Sequence, residues 1–367
     1  MKSKFILLGV LSLGVPLSYG ADKATDYPVK DFKDWAVACN NLRECSATSF
    51  VAPSEVASDP TPVGGDLVLT LERGAAVDSL IKLGFLNTSE DEWNEKLVGE
   101  DISISIDEQT FDLGKLTKQQ VADLKVELTH EQATVMLAAA QKSPSLSVLV
   151  GNIMNDISLS GLSAVLLYMD EQQQRLDTST ALFKKGTKTF TTIRPDVPTV
   201  TPKIPSAETQ VTDSKYSEIL DTTRKLNLTA LKTCNEEKAT NREELDTVDV
   251  LDNQHYLISL NCGGGAYNFN TLFLVAPKND LKQTKLAKFD QGADDSTVVG
   301  YAEYDNRTGL LNYSSKGRGL GDCGSVGAWA WTGEEFVLVS SNDMADCRGN
   351  LNFLNTWRLN LASPKTE

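Results

Sequence analysis

Short apolar runs, each separated from the next by a turn rich in glycine, asparagine and aspartate, fill the second half of the chain. They lie at residues 248–251, 256–260, 272–275, 298–304, 310–313 and 353–359, with two more on either side of Thr332-Gly333. Runs of this length and spacing are typical of β-strands in an antiparallel meander, arranged as a sandwich, a barrel or a short propeller-like sheet. Because no repeat of fixed period accompanies them, a full propeller is not expected.

The first half of the chain mixes the strand period with the helix period. Alternation typical of strands occurs at Trp35, Val37 and Cys39, and further strand candidates lie at residues 67–71, 80–85 and 102–113, the last as a hairpin. Helices are indicated by capping-box patterns at residues 117–120 and 129–132 and by an apolar face at Leu162, Val165, Leu166 and Met169. The sequence therefore predicts an α+β domain, an antiparallel sheet with two or three short helices, followed by a mainly β domain.

The length of 367 residues exceeds the usual size of one domain. A change of composition marks the boundary, because Pro195, Pro198, Pro202 and Pro205 fall within a segment rich in threonine. We interpret residues 186–212 as a semi-rigid linker, with an edge segment packed along one domain as the alternative. The predicted organisation is a leader at 1–20, an α+β domain at 21–185, this linker, and a mainly β domain at 213–367.

The first residues have the pattern of a secretory signal peptide. Lys2 and Lys4 precede an apolar run at residues 5–17, and small residues follow up to Gly20, after which we expect cleavage. The run is shorter than the ~20 residues that span a bilayer, so a membrane anchor is not expected. The predicted location is periplasmic or secreted.

Six cysteines follow the leader, and an even number in an exported protein predicts disulfides. Proximity along the chain favours three local pairs: Cys39 with Cys45, Cys234 with Cys262, and Cys323 with Cys347. No C-x-x-C pair occurs, and neither histidine lies near a cysteine in the sequence, so no metal or cofactor site is predicted.

The chain is acidic, with 50 aspartates and glutamates against 35 lysines and arginines and a net charge of -15. Such a surface repels phosphate backbones and anionic lipids, so nucleic acid and membranes are poor partners. A protein with a basic surface is a better candidate for a partner.

One stretch offers candidate chemistry. Gly321-Asp322-Cys323-Gly324 is similar to the nucleophile turn of chymotrypsin-like proteases, with cysteine in place of serine. A thiolate nucleophile needs a histidine base beside it, and only His130, at a predicted helix start, and His255, at a strand start, exist. We therefore interpret Cys323 as half of a disulfide and predict no catalytic residue.

Other candidates have simpler explanations. The run Cys262-Gly263-Gly264-Gly265 lacks the lysine of a phosphate-binding loop and reads as a strand end. Three aspartates near position 292 have the wrong spacing for an EF-hand and read as a solvated turn: Asp290, Asp294 and Asp295. Four tryptophans could line a cleft but favour the core: Trp35, Trp329, Trp331 and Trp357.

Motifs at both ends of the chain carry a family resemblance. Trp35-x-Val37-x-Cys39-Asn40-Asn41 resembles the opening of the invasion-associated locus B family of secreted bacterial proteins, with Asn40 where that family has aspartate. The segment 159–164 is similar to the closing segment of that family. The whole chain, with Gly321-Asp322-Cys323-Gly324 and Cys347-Arg348-Gly349, resembles a bacterial periplasmic family known only as a domain of unknown function. The resemblance implies a shared fold, and it carries no catalytic residue over to this chain.

The sequence thus favours a non-catalytic exported protein that binds a protein partner in the cell envelope or outside the cell. One alternative is an envelope hydrolase that uses a carboxylate pair or Cys323 as nucleophile. A second alternative is an inhibitor of a basic host enzyme such as lysozyme, which only the acidity suggests.

Overall fold

A computed structural model describes residues 23–51, 67–78, 80–84, 95–192, 195–206, 211–234, 243–293 and 296–366. The predicted leader at 1–20 lies outside the described residues, as do Asp294 and Asp295.

The N-terminal unit is an α+β arrangement, as the sequence predicted. Its strands are β1 Lys30–Phe32, β2 Trp35–Cys39, β3 Cys45–Ser49, β4 Thr70–Arg73, β5 Ile81–Gly84, β6 Asp101–Ile106, β7 Gln109–Lys115, β8 Lys125–Leu128, β9 Ser145–Val150 and β10 Ile153–Ser158. Its helices are α1 Lys118–Asp123, α2 His130–Ala140 and α3 Leu162–Gln172. One antiparallel sheet has the order β1-β2-β3-β4-β5-β8, and a second has the order β10-β9-β6-β7.

Local signals in the sequence start these helices. Thr117 and Thr129 each accept a hydrogen bond from the backbone N–H three residues later, and the glutamine there accepts one from the threonine N–H, which completes both predicted capping boxes. Helix α3 begins after Gly161, whose φ of 102° and closeness to the Phe32 carbonyl leave no room for a side chain. Its predicted apolar face is buried in the core at Leu162, Val165, Leu166 and Met169.

The C-terminal unit is mainly β. Its helices are α4 Asp213–Leu226 and α5 Leu228–Cys234, and its strands are β11 Thr199–Val200, β12 Lys203–Ile204, β13 Thr247–Val250, β14 His255–Gly264, β15 Phe269–Pro277, β16 Lys285–Leu286, β17 Thr297–Asp305, β18 Leu310–Lys316, β19 Gly324–Trp331, β20 Phe336–Met344, β21 Leu354–Arg358, β22 Asn360–Leu361 and β23 Lys365–Thr366. The main sheet runs β13-β14-β15-β17-β18-β19-β20-β21, with β16 beside β15. Successive strands pair antiparallel, which is the meander that the turn spacing predicted.

The proline- and threonine-rich segment contributes two short strands to the C-terminal unit. Strand β11 pairs in parallel with β22, and β12 pairs in parallel with β23. These contacts place that part of the segment along one unit, which is the alternative that the sequence left open.

The four tryptophans named above are core residues, as predicted. Each of these four is at most 6% exposed, and each indole N–H donates a hydrogen bond: Trp35 to Ser158 O, Trp329 to Gln291 O, Trp331 to Asp252 and Trp357 to Leu338 O. Aromatic rings can lie in a core at little cost when their polar atom is bonded in this way.

The two units pack against each other through a small apolar cluster and polar clamps. Ala36, Ala38 and Phe50 contact a C-terminal group of residues: Cys323, Met344 and Leu354. Beside them Arg348 forms an ion pair with Asp34 at 2.9 Å and lies over the Phe50 ring. Residues near the disulfide of Cys323 therefore hold the units together.

Candidate functional site

The six cysteines form three disulfides, and the pairs are those that proximity favoured: Cys39–Cys45, Cys234–Cys262 and Cys323–Cys347. Cys323 is bonded to Cys347 and only 1% exposed, so the alternative in which it is a nucleophile is wrong. His255 lies 3.0 Å from the Asp252 carboxylate, and His130 begins α2 in the other unit.

The glycine-rich turn before Cys323 is built around an ion pair between the partly exposed Arg318 and the buried Asp322. Asp322 is 0% exposed and accepts hydrogen bonds from Arg318 and from the Gly349 N–H. Burial raises the pKa of the Asp322 carboxyl, but these hydrogen bonds outweigh that effect and leave the pKa below its ordinary value. The turn therefore fixes the loop that Cys347 closes, which is a structural role.

The remaining sequence candidates are also structural. Gly263 and Gly264 lie at the end of β14, beside a register shift in its pairing with β15. The Asp290 carboxylate accepts from the Leu338 N–H at 2.8 Å, and burial raises its pKa. Among the described residues, no group of three or more histidine, cysteine, aspartate or glutamate side chains is placed to hold a metal ion.

A cavity of about 1140 Å³ lies on one face of the C-terminal sheet, between strands β17–β20 and the segment 24–29. Its polar groups come from neighbouring strands in register: Ser325 is opposite Asp343, while Gly327 lies between Tyr313 and Ser341. Large concave sites with a few convergent polar groups are where proteins bind ligands. This cavity is our candidate functional site.

The glycine at position 327 makes the site possible. The Tyr313 hydroxyl reaches across β19 to the Ser341 hydroxyl at 3.2 Å. A Cβ atom at position 327 would come within 2.7 Å of the Tyr313 ring and 2.2 Å of the Ser340 carbonyl oxygen. Only a residue without a side chain lets Tyr313 cross at this point.

Three hydroxyl groups donate to one carboxylate, and a fourth hydroxyl donates to one of the three. The hydroxyls of Ser325 and Thr356 donate to Asp343, and Ser341 donates to it at 3.0 Å. Since the Ser341 hydrogen is directed at Asp343, Tyr313 donates its own hydrogen to Ser341. Burial raises the pKa of Tyr313, and the charge of Asp343 acts in the same direction, so the phenol stays protonated at neutral pH.

The cavity has the composition of a binding site. Asp343 is the charged side chain among the described residues that line it, and no lysine, arginine or histidine is part of this lining. A serine nucleophile is normally activated by a histidine or lysine base. The arrangement therefore provides hydrogen bonds and one negative charge.

A second cleft, of about 750 Å³, lies between the two units and is rich in charges. Its glutamates already have cationic partners: Glu72 with Lys125 at 2.7 Å, Glu44 with Arg358 at 3.2 Å and Glu127 with Lys82 at 3.9 Å. These ion pairs neutralise the cleft and favour a role in holding strands and units in place.

Cys323 and Trp329, two residues that the sequence analysis singled out, line the first cavity, but the sequence did not identify Tyr313, Ser341 or Asp343. A weak signal was present, because Ser341 and Asp343 are two residues apart just after the predicted apolar run, and residues two apart in a strand share a face. Neither position could be linked to Tyr313 without knowing which strands are neighbours.

Among the described residues, no helix is long and apolar enough to cross a membrane.

Comparisons with known proteins give a family and no activity. The family described as "Protein of unknown function (DUF1176)" matches residues 29–361. The uncharacterized protein YpfG of Escherichia coli (strain K12) is 28% identical over 327 residues, which cover 84% of this chain and 85% of YpfG. The crystal structure of invasion associated protein B from Bartonella henselae aligns with 40% of this chain and 99% of its own, at 11% identity and a TM-score of 0.27.

Proposed function

The chain belongs to the DUF1176 family of proteins of unknown function, and we propose that it is a non-catalytic exported protein that binds a protein partner in the cell envelope or outside the cell. The observation that carries this proposal is the cavity over Asp343. It offers the carboxylate of Asp343 and the hydroxyl groups of Tyr313, Ser325 and Ser341 from neighbouring strands, and its described lining contains no lysine, arginine or histidine.

Export is supported by two independent features. The first 20 residues have the charge and apolar pattern of a signal peptide. All six cysteines are paired, and disulfides persist in oxidising compartments such as the periplasm. We therefore place the working protein in the periplasm or outside the cell.

The test is capture of the partner by the native protein. Protein purified from the periplasm, with its disulfides intact, is immobilised and exposed to envelope extract, and captured proteins are identified and then titrated in pure form. A reduced and alkylated sample serves as the control. One protein that binds the native form alone is expected. Absence of any such protein, together with hydrolysis of peptide, ester or glycoside substrates by the native form, would overturn the proposal.

A second candidate is inhibition of a basic host enzyme such as lysozyme. It is favoured by the net charge of -15 and by the single negative charge in the described lining of the cavity. Lysozyme activity measured with increasing amounts of this protein tests it. Inhibition that weakens as salt rises is expected, because salt screens the attraction between unlike charges; no inhibition at low salt would remove this candidate.

A further inference from the structure

The cluster around Asp343 presents acceptors to the cavity. Ser325 and Ser341, which line the cavity, each direct their single hydroxyl hydrogen at the carboxylate. A hydroxyl that has given its hydrogen away can offer only lone pairs to a further ligand. A ligand that binds this cluster must therefore bring its own hydrogen-bond donors.

The charge of Asp343 and the aromatic ring of Tyr313 further restrict the chemistry of the ligand. Asp343 is negative, and the described lining holds no cation that would neutralise it. The Tyr313 ring lines the same cavity and packs against Trp329 with ring centroids 4.4 Å apart. Cations bind favourably over aromatic faces and to carboxylates, so an ammonium or guanidinium group fits both features.

The size and the opening of the cavity favour a cation that belongs to a protein. Its volume of about 1140 Å³ is far larger than one ammonium or guanidinium group needs, and Pro28 and Ala345 of its lining are exposed, so the cavity opens at the surface. A side chain that enters the cavity would bring the surrounding surface of a partner protein against this opening.

We propose that the cavity over Asp343 receives a lysine or arginine side chain of the partner protein, held by the carboxylate, the surrounding hydroxyl oxygens and the Tyr313 ring. This inference rests on the proposed function and specifies its site. The acidity of the whole chain supports it, because a net charge of -15 attracts a basic surface toward the cavity.

The test compares two small probes that differ in one charge. N-acetyl-lysine methylamide and its neutral counterpart N-acetyl-norleucine methylamide are titrated into ¹⁵N-labelled native protein, and amide shifts are followed at residues 313, 325, 327, 341 and 343. The lysine probe is expected to bind roughly tenfold more tightly. Its ammonium group can donate a hydrogen bond to the Asp343 carboxylate, whereas the norleucine side chain has no donor.

A matched pair of variants locates the effect. Asp343→Asn is expected to abolish the preference for the lysine probe, whereas Glu334→Gln, which removes one charge from the exposed turn before β20, is expected to preserve it. Equal affinity of the two probes for the native protein, or shifts confined to other residues, would overturn the inference. If Asp343→Asn does not fold, the relative affinity of the two probes for the native protein still tests the inference.

The outcomes separate this inference from the proposed function. Capture of a partner whose affinity is unchanged by Asp343→Asn would overturn the cation site and leave the binding function in place. Selective binding of the lysine probe, with no captured partner, would support the cation site and count against the binding of a protein.

Discussion

Asn41 holds the backbone of Arg358 with both ends of its side-chain amide. Its Nδ2 donates to the Arg358 carbonyl oxygen at 2.9 Å, and its Oδ1 accepts from the Arg358 N–H at 2.8 Å. The amide thus replaces a neighbouring strand at the edge of β21. Asn40, the preceding residue, donates to Asn355 on the same strand at 2.7 Å. The Cys39–Cys45 disulfide closes the loop that carries both asparagines, so this disulfide positions a contact between the units.

Replacement of this clamp is expected to destabilise the protein. Asn41→Leu has a similar size but leaves the N–H and the carbonyl of Arg358 without their partners in a site where residue 41 is buried. We expect a loss of roughly 2 kcal/mol in the free energy of unfolding, measured with urea. The control is Asn312→Leu at an exposed position of β18. Equal stability of the two variants would show that the clamp is not required.

Removal of the Cys323–Cys347 disulfide is expected to cost stability alone. These cysteines are 24 residues apart, and a loop of that length corresponds to about 3 kcal/mol when the crosslink is lost. The double change of Cys323 and Cys347 to serine is measured by urea unfolding, next to the same change at Cys39 and Cys45. Thiol titration of the native protein should find no free thiol before reduction; a reactive thiol at Cys323 would contradict the pairing.

The crossing of Tyr313 over β19 gives a prediction with an internal control. Gly327→Ala places a methyl group against the Ser340 carbonyl and the Tyr313 ring, and should cost roughly 2 kcal/mol and displace Tyr313. Gly319→Ala meets only the Tyr267 ring, at 3.7 Å, and should be tolerated. Thermal unfolding of both variants checks this, and an unchanged Gly327→Ala protein would contradict the described geometry.

Asp249 makes stability depend on pH. Burial raises the pKa of its carboxyl from 3.8 to about 6, and the charge of Glu303 acts in the same direction. The folded state therefore binds this proton more tightly than the unfolded chain does, so this group's contribution to stability falls as pH rises from about 4 to 6. The Asp249→Asn variant has no carboxyl group to ionise at this position, so it does not lose this stability as pH rises.

The variant should accordingly be more stable than the native protein by roughly 1 to 2 kcal/mol at pH 7, and no more stable at pH 4. Urea unfolding at both pH values measures this, with Glu334→Gln as a control for the loss of one exposed charge. A gain of equal size at pH 4 and pH 7 would show that burial of the Asp249 charge is not the cause.

Features that depend on residues close together in the chain could be predicted from the sequence. The capping boxes at Thr117 and Thr129 and the apolar face of α3 need only a few consecutive positions, and the structure has them where the pattern placed them. The strands of the meander were also predicted from their turns. Strand β9 also has apolar residues at alternating positions, 146, 148 and 150, although this strand was not among those predicted.

Features that depend on tertiary contact were not predictable in this way. Asn41 reads as a turn residue, yet its partner lies 317 positions along the chain. The hydroxyl cluster joins Tyr313, Ser325 and Asp343 from three strands, and their proximity follows from strand register and from the absence of a side chain at Gly327. No periodicity encodes either relationship. Asparagine and serine are common in turns, so composition could not distinguish these residues from ordinary ones.

The central claim is that this protein works by binding through the face that carries Asp343. Hydrogen–deuterium exchange of the native protein, alone and saturated with its captured partner, measures this directly. We predict slower exchange on binding in residues 297–301, 313–327 and 338–347, which surround the cavity. Protection confined to the charged cleft between the units, or no protection in the sheet, would contradict the claim.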